Sequence, residues 1–224
     1  MDIASFIDHT ILKPTTTIAD VKELCNEAME YGFAAVCIPP PLVKNAKAFL
    51  KGTEVGTATV IGFPFGYSNA KAKILETQQA IEDGANEFDV VINLIALRGK
   101  AWSYLESEIK HIVQAVHKNG GVLKVIIESG ILTDEEIVQC CEIYAKAGVD
   151  FVKTSTGYAE KGATLEAVQL MRQTLPSSIR IKASGGIRTY QFARELIGAG
   201  ADRLGCSASV AIMKEQLTQS NEGL

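Results

Sequence analysis

The chain has 224 residues, 47% of them hydrophobic, and a formal net charge of −4. That length suits one large core, because α/β barrels reach it without dividing. An acidic balance with no basic run argues against a broad nucleic-acid-binding surface, although small anions can still be held by backbone amides.

In chain order, short β-branched runs alternate with amphipathic helical segments. Strands are expected near 5–10, 34–38, 54–62, 87–93, 123–128, 150–154, 179–183 and 202–205. A helix over 17–31 opens at Thr17 and stops at Gly32. A second opens with the capping box Thr133/Glu136 and ends at Gly148. Others are expected over 164–174, before Pro176, and over 189–197, before the glycines at 198 and 200. From about Thr218 the chain reads as a frayed tail. Residues 30–38, 82–92, 146–154 and 198–206 repeat one device: a helix end, a glycine turn, polar residues, then an apolar strand.

Eight such strands predict one domain over 1–224, a parallel sheet closed into a (β/α)8 TIM barrel. An open doubly wound sheet is the alternative, but no GxGxxG follows the first strand. Chemistry in such a barrel sits at the C-terminal strand ends. The polar residues there are Asp8, His9 and Thr10, then Cys37, Asp89, Asn93, Glu128, Lys153, Thr154, Lys182, Ser184 and Ser207.

Two lysines on adjacent strands are the informative pair. Each could simply be neutralised by a carboxylate such as Asp89 or Glu128, and for one lysine that reading is as good as any other. For two at one barrel mouth, burial is costly unless chemistry requires it. An amine attacks a carbonyl only when unprotonated, and a free lysine with a pKa near ~10.4 is almost wholly protonated at neutral pH. Burial and a neighbouring ammonium both lower that value, so one lysine makes the other a nucleophile. The iminium that results is an electron sink for carbon–carbon bond cleavage, and Asp89 can move the protons.

Glycines mark the other end of the mouth. Gly185 and Gly186 follow the seventh strand, and Gly205 and Ser207 close the eighth; barrels often bind phosphate on these two loops. Gly157 in the loop after the sixth strand is a further edge. Arg188 reads equally as a phosphate contact or a surface side chain.

At these residues the chain resembles the deoxyribose-phosphate aldolases, class I enzymes on a (β/α)8 barrel. The resemblance is carried by residues 7–14 (IDHTILKP), 88–93 (FDVVIN), 152–157 (VKTSTG), 181–188 (IKASGGIR) and 203–207 (RLGCS). It implies reversible cleavage of 2-deoxy-D-ribose 5-phosphate to D-glyceraldehyde 3-phosphate and acetaldehyde. It also implies that Lys153 is the Schiff-base lysine, Lys182 the lysine that perturbs it and Asp89 the proton carrier. Asp8, Thr10 and Thr154 join Gly157, Gly185, Gly186, Gly205 and Ser207 as substrate contacts. Asp8 reads nearly as well as a cap or salt bridge at the mouth, and Cys37 better as a small core residue than as a pocket residue. Two departures fall at the phosphate end: Ala208 where members often have a second hydroxyl, and Tyr158 where some carry lysine.

An isomerase or epimerase on the same barrel, using Asp89 and a second acid, is an alternative; a non-catalytic sugar-phosphate-binding protein is another. The apolar runs at 35–43 and 90–97 are too short to span a membrane, and no secretory signal is seen at the start. Five cysteines, two adjacent and none in CxxC spacing, fit neither a disulfide framework nor a zinc site. His9, His111 and His117 are dispersed, the last two in an expected surface helix. The expectation is therefore a cytoplasmic enzyme that needs neither metal nor other cofactor, and that self-associates as a homo-oligomer.

Overall fold

A computed structural model describes residues 2–222. Eight strands, β1 (Ile7–Thr10), β2 (Ala35–Ile38), β3 (Gly56–Ile61), β4 (Glu87–Val91), β5 (Val122–Ile126), β6 (Phe151–Lys153), β7 (Arg180–Ser184) and β8 (Arg203–Cys206), form the sheet. They close in sequence order, β1 through β8 and back to β1, with every pair parallel. This is the (β/α)8 barrel, and the open sheet is ruled out by the β1–β8 pairing.

The surrounding helices are α1 (Ile18–Tyr31), α2 (Val43–Phe49), α3 (Ala70–Asp83), α4 (Leu94–Arg98), α5 (Trp102–Lys118), α6 (Asp134–Ala147), α7 (Leu165–Thr174), α8 (Tyr190–Gly198) and α9 (Ser209–Glu222). Their starts are written in local chemistry. Thr17 with Asp20, and Thr133 with Glu136, make complete capping boxes, while Thr164 and Thr189 cap α7 and α8. Gly32, Gly84 and Gly148 end α1, α3 and α6 in the left-handed conformation. Two differences from the sequence reading stand out. Helix α9 continues through 218–222, where fraying was expected, and residues 223 and 224 lie outside the described residues. The helices α2, α3 and α4 were not anticipated: the mixture of Lys, Gln, Glu and Ala in α3 gives a weak apolar stripe, and α2 and α4, of 7 and 5 residues, are too short to show a helical period.

Alternation along the strands divides the core. One set of side chains, including Val36, Ile61, Val90, Val125, Val152, Ile181 and Leu204, packs under the helices in the main apolar core. The other set faces the barrel axis. There a small apolar cluster of Ala35, Cys37, Ala58 and Val60, with Leu12 and Phe63 against it, occupies the β2–β3 side. The remaining interior is ionic. Where barrel interiors are usually filled by branched apolar residues, this one holds buried Asp8, Glu87, Asp89, Lys124, Lys153 and Lys182.

Candidate active site

Strand register brings the two lysines together. Lys153 on β6 is paired with Lys182 on β7, and Lys182 in turn with Arg203 on β8. Asp89 on β4 is paired with Lys124 on β5. Gly205 is what makes room for the second lysine: a Cβ there would sit 3.2 Å from Lys182 Cε and 2.9 Å from Ser184 Cβ.

Asp89 is the hub. Its Oδ2 accepts from Lys153 Nζ and from Lys182 Nζ, each at 2.7 Å, and its Oδ1 accepts from Lys124 Nζ at 3.0 Å. Asp8 forms a second hub, accepting a short bond from Lys182 and one of 2.6 Å from Arg203. Lys124 also reaches Glu87 at 2.5 Å and Asp8 at 3.6 Å. The bonded cluster thus contains three carboxylates and four cations. If all were ionised it would carry one uncompensated positive charge in a buried interior, which is costly. Giving up one proton removes that charge.

Burial and surroundings set the three lysines apart. Burial, followed by the nearby Lys182, lowers the Lys153 pKa, with Asp89 only partly opposing. Lys182 is equally buried, but Asp8 and Asp89 outweigh that effect and hold it above the ordinary lysine value. Lys124 is likewise raised despite its burial, by Asp89, Glu87 and Asp8. Asp89 lies well below the usual carboxylate range: its burial would raise it, and Lys124, Lys153 and Lys182 together override that. Lys153 is also the one lysine of the three that opens onto solvent. It lines a cleft of about 500 Å³, whereas Lys182, Lys124 and Asp89 sit behind it, fully buried.

The same cleft is lined by Thr10, Gly157, Gly185, Gly186, Gly205 and Ser207. Gly157, Gly185 and Gly186 have φ of 85°, 87° and 79°, a run that turns the loops after β6 and β7 into concave backbone. A side chain at Gly185 would lie 2.9 Å from Gly162 Cα, so the two loops are packed backbone to backbone. Arg188 is exposed on the rim. Two expected substrate contacts are placed elsewhere. Thr154 is fully buried, its hydroxyl accepting from Ser184 N at 3.1 Å and donating to the Ser184 carbonyl at 3.3 Å, so it joins β6 to β7 behind the cleft wall. Asp8 is also fully buried, inside the ionic cluster rather than at the mouth. Thr10 lines the cleft with its hydroxyl donated to the Asp8 carbonyl.

Glu128, a candidate partner for the lysines, is bonded to Thr156 instead, whose N–H and hydroxyl both donate to its carboxylate. Glu128 has φ 58°, a left-handed conformation that costs a non-glycine residue roughly 1–2 kcal/mol. Cys37 is buried outside the cleft lining, and burial pushes its thiol up to about 11, in keeping with a core role. Cys206 is similarly buried, its thiol pushed up to about 12. His111 and His117 are on exposed positions of α5, and His9 is held between Ser209 and Glu27.

The residues that sequence reasoning missed are Lys124, Glu87 and Arg203. Lys124 was detectable: it interrupts the apolar run VLKVII, although it lies mid-strand and not at the strand end that singled out Lys153 and Lys182.

A model of the DeoC/LacD family aldolases matches residues 3–213. The chain belongs to that aldolase family. A deoxyribose-phosphate aldolase from Caldicellulosiruptor saccharolyticus is 50% identical over 216 residues, 96% of this chain and 98% of the relative. One from Thermococcus kodakarensis is 49% identical, covering 95% and 96%. Among solved structures, the tetrameric deoxyribose phosphate aldolase of Aeropyrum pernix superposes with a TM-score of 0.91 at 34% identity, covering 97% of this chain and 92% of that one. As an aldolase the chain is a carbon–carbon lyase, and Lys153 is the lysine of the ionic cluster that lines the cleft, with its pKa lowered by burial.

Proposed function

We propose that this aldolase cleaves 2-deoxy-D-ribose 5-phosphate reversibly to D-glyceraldehyde 3-phosphate and acetaldehyde through a Schiff base on Lys153. The observation that carries the reading is the contrast between the two paired lysines: one lowered in pKa and open to the cleft, the other raised and locked behind it.

In this reading neutral Lys153 Nζ attacks C1 of the open-chain sugar, and loss of water gives the iminium. The C3 hydroxyl then loses its proton, the C2–C3 bond breaks, and its electron pair enters the iminium to form an enamine. Glyceraldehyde 3-phosphate leaves; protonation of the enamine carbon and hydrolysis release acetaldehyde and restore the amine. Asp89, bonded to both lysines, shuttles the protons, and Lys182 remains the cation that keeps Lys153 unprotonated. The phosphate rests on the backbone of Gly157, Gly185, Gly186 and Gly205 with Ser207 beside it, where concave turns and the start of α8 favour an anion.

The isomerase alternative finds no free second acid among the carboxylates carried by the strands or directly after them, since Asp8 and Glu87 are ion-paired and Glu128 is bound to Thr156. Five free, buried cysteines support a reduced, cytoplasmic setting. The tetrameric Aeropyrum relative supports self-association. Incubation with 2-deoxyribose 5-phosphate tests the reaction: acetaldehyde and glyceraldehyde 3-phosphate should appear in equal amounts. Conversion to an isomeric sugar phosphate, or no conversion, would overturn it.

A further inference from the structure

Glu128 lies two residues beyond β5 and holds a left-handed backbone, φ 58°, that glycine would adopt without strain. The hydrogen bonds on either side of it show what this conformation does. Ile127 N donates to the Lys153 carbonyl at 3.0 Å, and Ser129 N donates to the Thr154 carbonyl at 2.7 Å. A regular parallel ladder advances equally on both strands between such bonds. Here it advances from 127 to 129 on one side but only from 153 to 154 on the other. Glu128 is therefore the extra residue of a bulge, a device that bends one strand and re-aims a side chain.

The re-aimed side chain reaches the loop after β6. The buried Glu128 carboxylate accepts from Thr156 N at 3.2 Å and from Thr156 Oγ1 at 2.5 Å. Thr156 Oγ1 in turn accepts from Tyr158 N at 3.0 Å, across the left-handed turn at Gly157. The far end of that turn is tied down as well, because the Tyr158 phenol donates to the Leu12 carbonyl at 2.7 Å. Glu128 stays out of the cleft lining, whereas Lys153, Thr156, Gly157 and Tyr158 all belong to it. The bulge thus acts on one stretch of chain, 153–158, with the cleft lysine at one end and a concave glycine turn near the other.

Strain of this kind persists only where the surroundings over-determine it, and it gathers at functional sites. A glycine at 128 would remove the strain, but also the carboxylate that holds Thr156. Resting on the Schiff-base reading above, we infer that Glu128 is a positioning residue that fixes the span between the Lys153 amine and the phosphate edge at Gly157. A substrate anchored at both ends, its C1 on the amine and its phosphate on the glycine turns, reacts at a rate that depends on this span. A misplacement of about 1 Å can cost on the order of a hundredfold. A substrate held at C1 alone does not sense it.

The test compares 2-deoxyribose 5-phosphate with free 2-deoxyribose in the unaltered protein, Glu128→Gly, Glu128→Gln and Thr156→Val. In Glu128→Gly the ratio of kcat/KM, phosphorylated over free, should fall at least about tenfold, while acetaldehyde with borohydride still labels Lys153. Glu128→Gln keeps one acceptor for Thr156 and should lose less. Thr156→Val removes the hydroxyl that joins Glu128 to Tyr158, leaves the bulge in place, and should lower the ratio too. Thermal melts report which variants stand, and the valine variant keeps the question answerable if the glycine variant does not fold. An unmoved ratio in the folded glycine or valine variant, or equal losses with both substrates, overturns the inference. If the unaltered protein itself gives no borohydride adduct, the Schiff-base reaction proposed above is what fails.

Discussion

Lys153 and Lys182 are the same residue type, both buried and side by side, yet their surroundings push them in opposite directions. Lys182 is held by two carboxylates and Lys153 shares one of them. Replacing Lys153 by Met should leave the fold standing and lower turnover by on the order of 10⁴-fold or more, because no other amine opens onto the cleft from the ionic cluster. Steady-state kinetics and a thermal melt of the variant check both halves. Replacing Lys182 by Met acts through the proton. Removing the neighbouring cation takes away a repulsion and leaves Asp89 more fully to Lys153, and both changes raise the Lys153 pKa. Since the deprotonated amine is the nucleophile, the rising acid limb of kcat/KM should move to higher pH and the rate at neutral pH should drop. A limb that stays in place while the rate falls would show that Lys182 acts in some other way.

At the scale of elements, the strands hold the ionic cluster and the loops after β6 and β7 supply the concave backbone of the proposed phosphate site. Lys124, central on β5, neutralises parts of Asp8, Glu87 and Asp89 at once. Lys124→Met strands buried negative charge and should cost about 3–5 kcal/mol of stability in denaturant unfolding, with part of the loss recovered in the Lys124→Met/Glu87→Gln double variant. In the loop after β7, Gly185→Ala places a Cβ against Gly162 at a left-handed φ. It should raise KM for 2-deoxyribose 5-phosphate much more than for free deoxyribose. Most of this layout was legible in the sequence. The eight strands, the capping threonines and the lysine pair follow from local patterns, since a strand-end lysine and a helix-capping threonine are visible without tertiary context. What was not legible depends on contacts between distant elements. That Thr154 spends its hydroxyl on Ser184 and that Tyr158 reaches Leu12 are facts of register and loop packing, whereas the ion pairs of Asp8 match the salt-bridge reading the sequence offered for it. Lys124 is the exception: its position in an apolar strand marked it, and only parity with the barrel axis was needed to place it.

For the molecule as a whole, an ionic interior ties stability to pH. Asp8 and Asp89 are both held below the ordinary carboxylate value of 3.8, although burial works against it: Lys182 is the strongest of the cations that override this at Asp8, and Lys124 at Asp89. A carboxylate depressed in the folded state stabilises it fully above the unfolded pKa, and that stabilisation is lost as pH falls through the folded value. The free energy of unfolding should therefore decline below about pH 4 with a component that Asp8→Asn removes, measured as denaturant midpoints at successive pH values. An equal acid decline in the variant would contradict this assignment.

The central claim is that Lys153, and not the fully buried Lys182 or Lys124, forms the covalent link to substrate. Incubating the protein with acetaldehyde or 2-deoxyribose 5-phosphate, reducing with borohydride and mapping the added mass by peptide sequencing tests it most directly. The account predicts one irreversible adduct, on Lys153, with activity lost in proportion. An adduct on Lys182 or Lys124, or none under conditions of turnover, would contradict it.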